Sequence, residues 1–340
     1  MQTPRKGIAI AGNIIVDIVN IIDKYPDKNM LANISSSTPA VGGCVSNTII
    51  DIAKIDPEMS LCAIGKVGTD SNGDFVVSQM EKYGIDTSCI IRDASAQTAC
   101  TYVMSEKTTG ERTFFYAGGA NNSFSLEDVN IDALNCEIFH AGYILLLEAL
   151  DAPDTEYGTK MAKLLHDVAE KGIKTSIDVV SEDGDRFREK VVPALKQVDY
   201  AIMNEIECCK VSGLDPRKAD GSIHTENIKK TMELFFEYGV REKVIIHCAE
   251  AGFSLDKNGN FVAVPSLKLP KGYIKGSVGA GDAYCAASLY GICKGYDDTT
   301  ILEFASAAAA CNLSEADSIS GMRTKDEVMK LCELYERQTL

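Results

Sequence analysis

The chain alternates apolar, strand-like runs with helical patterns from end to end, and this rhythm restricts its fold more than any other feature. The runs lie at residues 6–11, 60–64, 138–141, 174–179, 200–203 and 243–248. Helical patterns fill the gaps at roughly 45–55, 73–83, 155–171, 186–196, 205–212 and 225–238. Buried strands joined through helices cross over right-handedly, which predicts an α/β fold with a central, mostly parallel sheet flanked by helices on both faces. Gly172 and Gly239 stand where a glycine ends a helix, and Thr324 with Glu327 forms the capping box of a last one. With 340 residues, 45% of them hydrophobic, the chain can bury such a sheet.

One region departs from the rhythm. Residues 98–117, TACTYVMSEKTTGERTFFYA, are β-branched and aromatic around a polar turn at 107–111, which predicts a hairpin. A hairpin inserted in an α/β domain is suited to be a lid, and residues 13–40, rich in β-branched residues and turn formers, are expected to add strands to it.

Charge and spacing exclude several classes. The formal net charge of −15 is spread without blocks of like sign, and the lysines and arginines form no stripe, so no nucleic-acid partner is expected. The apolar amino terminus is interrupted by Asn13, Asp17 and Asn20 and reads as a buried strand rather than a signal peptide. No run of about 18 apolar residues occurs, so no membrane partner is expected. Twelve cysteines without a Cys-x-x-Cys pair read as reduced thiols of a cytoplasmic protein, and four histidines without His-x-x-x-His spacing predict no zinc site.

Three short segments carry the chemistry. In Gly276-Ser277-Val278-Gly279-Ala280-Gly281-Asp282, the glycines bare successive backbone N–H groups ahead of a helix over 282–294 closed by Gly295. Such a helix start is an anion site, able to stabilise phosphate oxygens and the charge that develops in phosphoryl transfer. Asp282 is then placed to accept a proton from an attacking hydroxyl, or else is a plain first-turn acid facing the helix dipole. Asn204-Glu205-Ile206-Glu207 follows a strand directly. It is a capping pattern, and it also lies where parallel sheets bind ligands, so Asn204 and Glu207 could hold phosphate and magnesium waters. The third segment is Val41-Gly42-Gly43-Cys44-Val45-Ser46-Asn47, preceded by Gly12-Asn13-Ile14-Ile15-Val16-Asp17 after the first strand. Asp17 and Asn47 sit on apolar segments where an unpaired polar side chain costs about 1 to 3 kcal/mol, and sugar hydroxyls would satisfy both. Neither Gly-x-x-x-x-Gly-Lys-Ser/Thr nor a Gly-x-Gly-x-x-Gly after the first strand occurs, which argues against Walker-type NTPases and dinucleotide dehydrogenases.

In this order the segments resemble the ribokinase-like (PfkB) carbohydrate kinases. GKVGTDSNG at 65–73, GERTFF at 110–115 and Gly119-Ala120-Asn121 extend the resemblance over nearly the whole chain. It implies one ribokinase-like α/β domain over 1–340, with a small β-sheet lid built from about 13–40 and 98–117. It also implies transfer of the γ-phosphoryl group of MgATP to a substrate hydroxyl. Asp282 would be the general base, and the backbone of Gly279, Ala280, Gly281 and Asp282 the anion hole. Asn204, Glu207 and Gly252 would serve the nucleotide and its magnesium, held mainly by ATP phosphates and water. Asp17, Gly42, Gly43 and Asn47 would grip the sugar, and a homodimer formed through the lid is implied.

The chain departs from the family pattern at defined places. Gly276 and Ser277 stand where relatives commonly have Asp-Thr, so the monovalent-cation (potassium) site of many relatives is not carried over. His247-Cys248-Ala249-Glu250-Ala251-Gly252 replaces Thr-x-Gly-x-x-Gly, and SEADSISG at 314–321 lacks the Gly-Ala of the adenine loop. Ile15 replaces an asparagine of ribokinases proper, and Cys44 a lysine of phosphosugar-specific relatives, which favours an unphosphorylated sugar. The reading is an ATP-dependent kinase of a small ribose- or fructose-like sugar. A nucleoside kinase of adenosine type and a non-catalytic sugar or nucleotide sensor are the alternatives.

Overall fold

The computed structural model describes residues 5–109 and 111–340. Gly110, in the turn of the expected hairpin, lies outside them, as do residues 1–4. The larger of the two main sheets has nine strands. β1 (Ile8–Gly12) lies inside it, with β4 (Leu61–Gly68) and β5 (Asp86–Asp93) to one side and β8 (Ile138–Ile144), β11 (Lys174–Val179), β12 (Tyr200–Asn204) and β13 (Lys243–His247) to the other. These seven run parallel. An antiparallel edge of β14 (Ala251–Asp256) and β15 (Phe261–Pro265) follows β13.

Strand pleating divides the core in two. Ile8 and Ile10 of β1 pack with the Cys44–Ile55, Ala280–Cys293 and Asp298–Leu313 helices, while Ala9 and Ala11 pack with the Lys160–Glu170, Phe187–Leu195 and Thr225–Tyr238 helices. Because strands are added to both sides of β1, the chain reverses direction there, and ligands bind at such a point beyond the carboxyl ends of the strands. Gly12, Tyr143, Asp178, Asn204 and His247 all stand at that edge.

The second sheet has four strands, β2 (Ile15–Ile22), β3 (Ile34–Gly42), β6 (Cys100–Glu106) and β7 (Arg112–Ala117), in the order β3-β2-β6-β7. The hairpin expected over 98–117 is β6 and β7, and 13–40 supplies β2 and β3. Val103 pairs with Phe114, and Tyr102 with Phe115, so the two phenylalanines point to opposite faces.

The expected helix over 155–171 starts only at Lys160. Gly158, at φ 87°, turns the chain into a two-residue ribbon of β9 (Pro153–Asp154) and β10 (Gly158–Thr159), and the Thr159 hydroxyl accepts from the Ala162 amide as N-cap. The Asp298–Leu313 helix and the β14–β15 hairpin were not expected. That helix is apolar almost all round because it is buried, so it lacks the period of a surface helix. The hairpin did carry a signal, the Asn258-Gly259 turn with Gly259 at φ 83°. Among the described residues no helix is long and apolar enough to cross a membrane.

Candidate active site

The Ala280–Cys293 helix opens on Gly279, whose φ of 79° belongs to the left-handed region. A Cβ there would lie 2.7 Å from Ser318 Cβ and 2.8 Å from the Ser318 carbonyl oxygen, so only glycine fits. The first-turn amides of Gly281 and Asp282 have no acceptor within the helix. Gly281, with no side chain to cover them, leaves them facing a cavity of about 450 Å³.

Asp282 points into the same cavity and is nevertheless 5% exposed. The Tyr143 hydroxyl donates to its two oxygens at 2.9 and 3.0 Å, and Asn47 Nδ2 donates to Oδ2 at 2.8 Å. Burial, reinforced by the charge of Asp178, raises its pKa to about 7 against these hydrogen bonds; Asp17 adds a smaller push upward. A carboxyl group so poised is half ionised near neutrality, which suits proton acceptance.

Each group that holds Asp282 is itself held. Asn47 Oδ1 lies 2.8 Å from Ser318 Oγ, so the serine beside Gly279 also orients the asparagine. Tyr143, at the end of β8, has φ 56°, and its amide donates to Asp178 Oδ1 at 2.6 Å. A tyrosine in the left-handed region is strained, and the aspartate at the end of β11 holds it there.

On one side of Asp282 lie the expected sugar residues. Gly43, at φ 86°, begins the Cys44–Ile55 helix and abuts the Asn13 carbonyl, where a Cβ would come within 2.5 Å. A Cβ on Gly42 would lie 2.6 to 2.8 Å from the Asp17 carboxylate. Asp17 carries a pKa raised to about 6 by burial, opposed by a hydrogen bond with Thr101. Gly42→Ala is therefore expected to displace Asp17 and raise the KM of the acceptor about tenfold, with a smaller effect on kcat. Steady-state kinetics at saturating MgATP checks this. Asp17 lines a neighbouring cavity of about 400 Å³ with Val19, Ile21, Phe75, Val103 and Phe114.

On the other side, Asn204 and Glu207 form the expected capping box. Asn204 Oδ1 accepts from the Glu207 amide at 2.9 Å, and Glu207 Oε2 accepts from the Asn204 amide at 3.0 Å. Glu207 Oε1 also accepts from Ser181 Oγ at 2.7 Å, and burial raises its pKa to about 8. The capping role and the cleft position coexist, since both residues line the 450 Å³ cavity. Gly252 does not line the cleft. It pairs with His247 and lies under the Tyr284 hydroxyl, whose ring stacks on His247 at 4.6 Å. Those two rings, and not Gly252 itself, line a third cavity of about 620 Å³ with Leu267, Ile274, Ala310 and Leu313.

The three cavities form one chain. The 400 and 450 Å³ cavities share Phe114 and Val278, and the 450 and 620 Å³ cavities share Asn204, His247, Ser277 and Gly281. The sequence reading missed Tyr143, Asp178 and Ser318. Asp178 was accessible to the argument used for Asn204, a polar residue at the end of a buried strand. Tyr143 and Ser318 carry no local signal.

The chain matches a family model described as pfkB family carbohydrate kinase over residues 6–325. It is 25% identical over 336 residues to a putative sugar kinase of Pyrococcus horikoshii, covering 97% of this chain and 96% of that protein. Fructokinase-1 of Zea mays is 23% identical, with 98% and 99% covered. Among solved structures, Arabidopsis thaliana ribokinase complexed with ribose and ATP superposes with a TM-score of 0.78 at 19% identity, covering 97% of this chain and 99% of that one. A putative ribokinase II from E. coli, in complex with ATP and Mg2+, gives 0.76 at 18% identity, with 97% and 99% covered. The helix-borne acid beside open amides, the ribokinase-like sheet and the family match agree: this chain belongs to the pfkB family and is an ATP-dependent carbohydrate kinase.

Proposed function

We propose that this kinase phosphorylates a hydroxyl of a small, unphosphorylated sugar of ribose or fructose type, with Asp282 as general base. The observation that carries the reading is the Asp282 carboxyl, buried, tuned to about 7 and set beside the open first turn of its helix. MgATP supplies the phosphoryl group. Asp282 takes the proton of the acceptor hydroxyl as that oxygen attacks, and the amides of Gly281 and Asp282 face the charge that develops on the transferred group, while the Ala280 amide is engaged by the Ser277 carbonyl at 3.4 Å. Asn47 and Tyr143 keep the carboxylate oriented. Glu207 is mostly protonated at neutral pH in the free enzyme, and magnesium arriving with the nucleotide would favour its ionised form.

The cleft favours a neutral acceptor. Among the described residues Arg112 is the only lysine or arginine lining the two cavities around Asp282, and Asp17 and Asp317 line the same space. Beyond Asp17 the walls are apolar, Val19, Ile21, Phe75 and Val103, and this observation favours a second reading, a nucleoside whose base occupies that space. Position 276 speaks against a potassium requirement: a Cβ on Gly276 would already lie 2.9 Å from the Ala316 carbonyl oxygen, leaving no room for a carboxylate.

A panel of free sugars, sugar phosphates and nucleosides, assayed for ADP formation with and without potassium, tests all of this. The expected result is turnover with a free pentose or hexose, unchanged within about twofold by potassium. Turnover confined to nucleosides selects the second reading, and turnover confined to sugar phosphates overturns both.

Residues 1–340 act in this reading as one domain, with the four-stranded sheet as lid. Phe114 faces the cleft, while Tyr102 and Phe115, on the other face, are 46% and 57% exposed. We assign that outer face to a homodimer contact, which sedimentation of wild type and Phe115→Asp would test. A wild-type monomer would refute it.

A further inference from the structure

Among the described residues one cluster, which shares only Asp178 with the site above, stands apart. His140, inside β8, is completely buried and in register with Ser176 of β11. Its Nδ1 lies 3.0 Å from Ser176 Oγ, which fixes the ring and leaves Nε2 free. Asp178 spends Oδ1 on the Tyr143 amide and leaves Oδ2 free, 3.5 Å from His140 Nε2. Cys285, one turn beyond Asp282 on its helix, brings Sγ to 3.8 Å from the same nitrogen. The three free atoms lie within 4.8 Å of one another.

The 3.5 Å between His140 and Asp178 is too long for a good N–H···O hydrogen bond, which prefers about 2.7 to 3.2 Å, and the 3.8 Å to Cys285 is at most a weak hydrogen bond to sulfur. They match a shared ion. Zinc bonds of about 2.0 to 2.1 Å to nitrogen and oxygen and about 2.3 Å to sulfur, at tetrahedral angles, set N and O about 3.3 Å apart and N and S about 3.6 Å apart. Imidazole, thiolate and carboxylate together select a borderline-soft cation over magnesium or calcium. The second atom of His140 and of Asp178 is already anchored, as the outer contacts of a metal ligand commonly are. Asp178 and Cys285 line the 450 Å³ cavity, so a fourth coordination position opens toward the transfer site.

We propose that His140 Nε2, Asp178 Oδ2 and Cys285 Sγ form a three-ligand site for a zinc-class divalent cation in the wall of the transfer cavity, and that its occupation inhibits the kinase. On binding, the Cys285 S–H gives its proton to solvent and a metal–sulfur bond forms, with no change of oxidation state. The open position then takes a substrate hydroxyl or phosphate oxygen and holds it away from the in-line path, while Asp178, which positions Tyr143, is tied to the ion. The inhibitory half rests on the kinase reading; the binding half does not. The spacing of the histidines in sequence gave no hint of the site, because its ligands come from two strands and a helix.

The test is titration of the full-length reduced protein with Co2+, a spectroscopic stand-in for zinc, and with Zn2+ in competition with a chromophoric chelator. The expected result is one saturable site per chain with a sulfur-to-cobalt charge-transfer band. Cys285→Ser and His140→Gln should each lose the band and weaken binding at least tenfold, while Cys89→Ser should keep both. Thermal melts confirm that each variant is folded, and Cys285→Ala serves if the serine variant is not. Absence of saturable binding, or a band that survives in both Cys285 variants, overturns the site. Zn2+ should also suppress wild-type turnover, reversibly with EDTA, and suppress it at least tenfold less effectively in Cys285→Ser relative to that variant's own metal-free rate. Binding without inhibition overturns the inhibitory half and leaves the kinase assignment untouched.

Discussion

Asp282→Asn is expected to lower kcat by about 10² or more while leaving the Kd of MgATP within a few-fold, because the variant keeps the helix amides and loses only the proton acceptor. Wild-type kcat/KM should rise with pH through about 7, as the carboxyl ionises, and the variant should lose that limb. Stability runs the other way. The pKa of Asp282 is raised to about 7, so the folded state keeps a proton that the unfolded chain has released. The stability linked to that proton is complete below the ordinary value of 3.8 and is lost as pH rises through about 7. Melting curves from pH 5 to 8.5, without nucleotide, should therefore show the variant gaining on the wild type as pH rises. A stability difference that does not change with pH, with kcat intact, would remove Asp282 from the mechanism.

Gly279→Ala should be nearly as damaging for a different reason. The new Cβ meets Ser318 at 2.7 Å and the left-handed φ of 79° is unfavourable for alanine, so the turn must shift. The shift moves the first-turn amides and, through Ser318, Asn47, which holds the base. Loss of one such donor typically costs 10² to 10³ in kcat. A comparable loss is expected here, with the melting temperature lowered by several degrees, for a cost of about 1 to 2 kcal/mol. Kinetics well below the melting temperature separates the two effects. A kcat within threefold of wild type would show that these amides do not carry the transferred charge.

The pattern of apolar runs was enough to read the parallel sheet, because a strand buried on both faces must be apolar along its length. The capping boxes at Asn204 and Thr324 and the glycines Gly172 and Gly239 that follow the Lys160–Glu170 and Thr225–Tyr238 helices act within one turn, so they too are readable locally. The Asp298–Leu313 helix was not, since burial on all sides erases its period.

The site divides along the same line. Gly279, Gly281, Asp282, Asn204 and Glu207 each declare themselves through a turn or a helix start. Tyr143 and Ser318 do not, because their roles arise from contacts with residues 139 and 271 positions away. Sequence alone determined the layered fold, the anion-binding helix start and the acid beside it, all consequences of short-range backbone chemistry. Tertiary structure alone decided that this acid is buried, held by a strained tyrosine and tuned to about 7. Burial and long-range hydrogen bonding depend on segments meeting in space, and no local pattern encodes that.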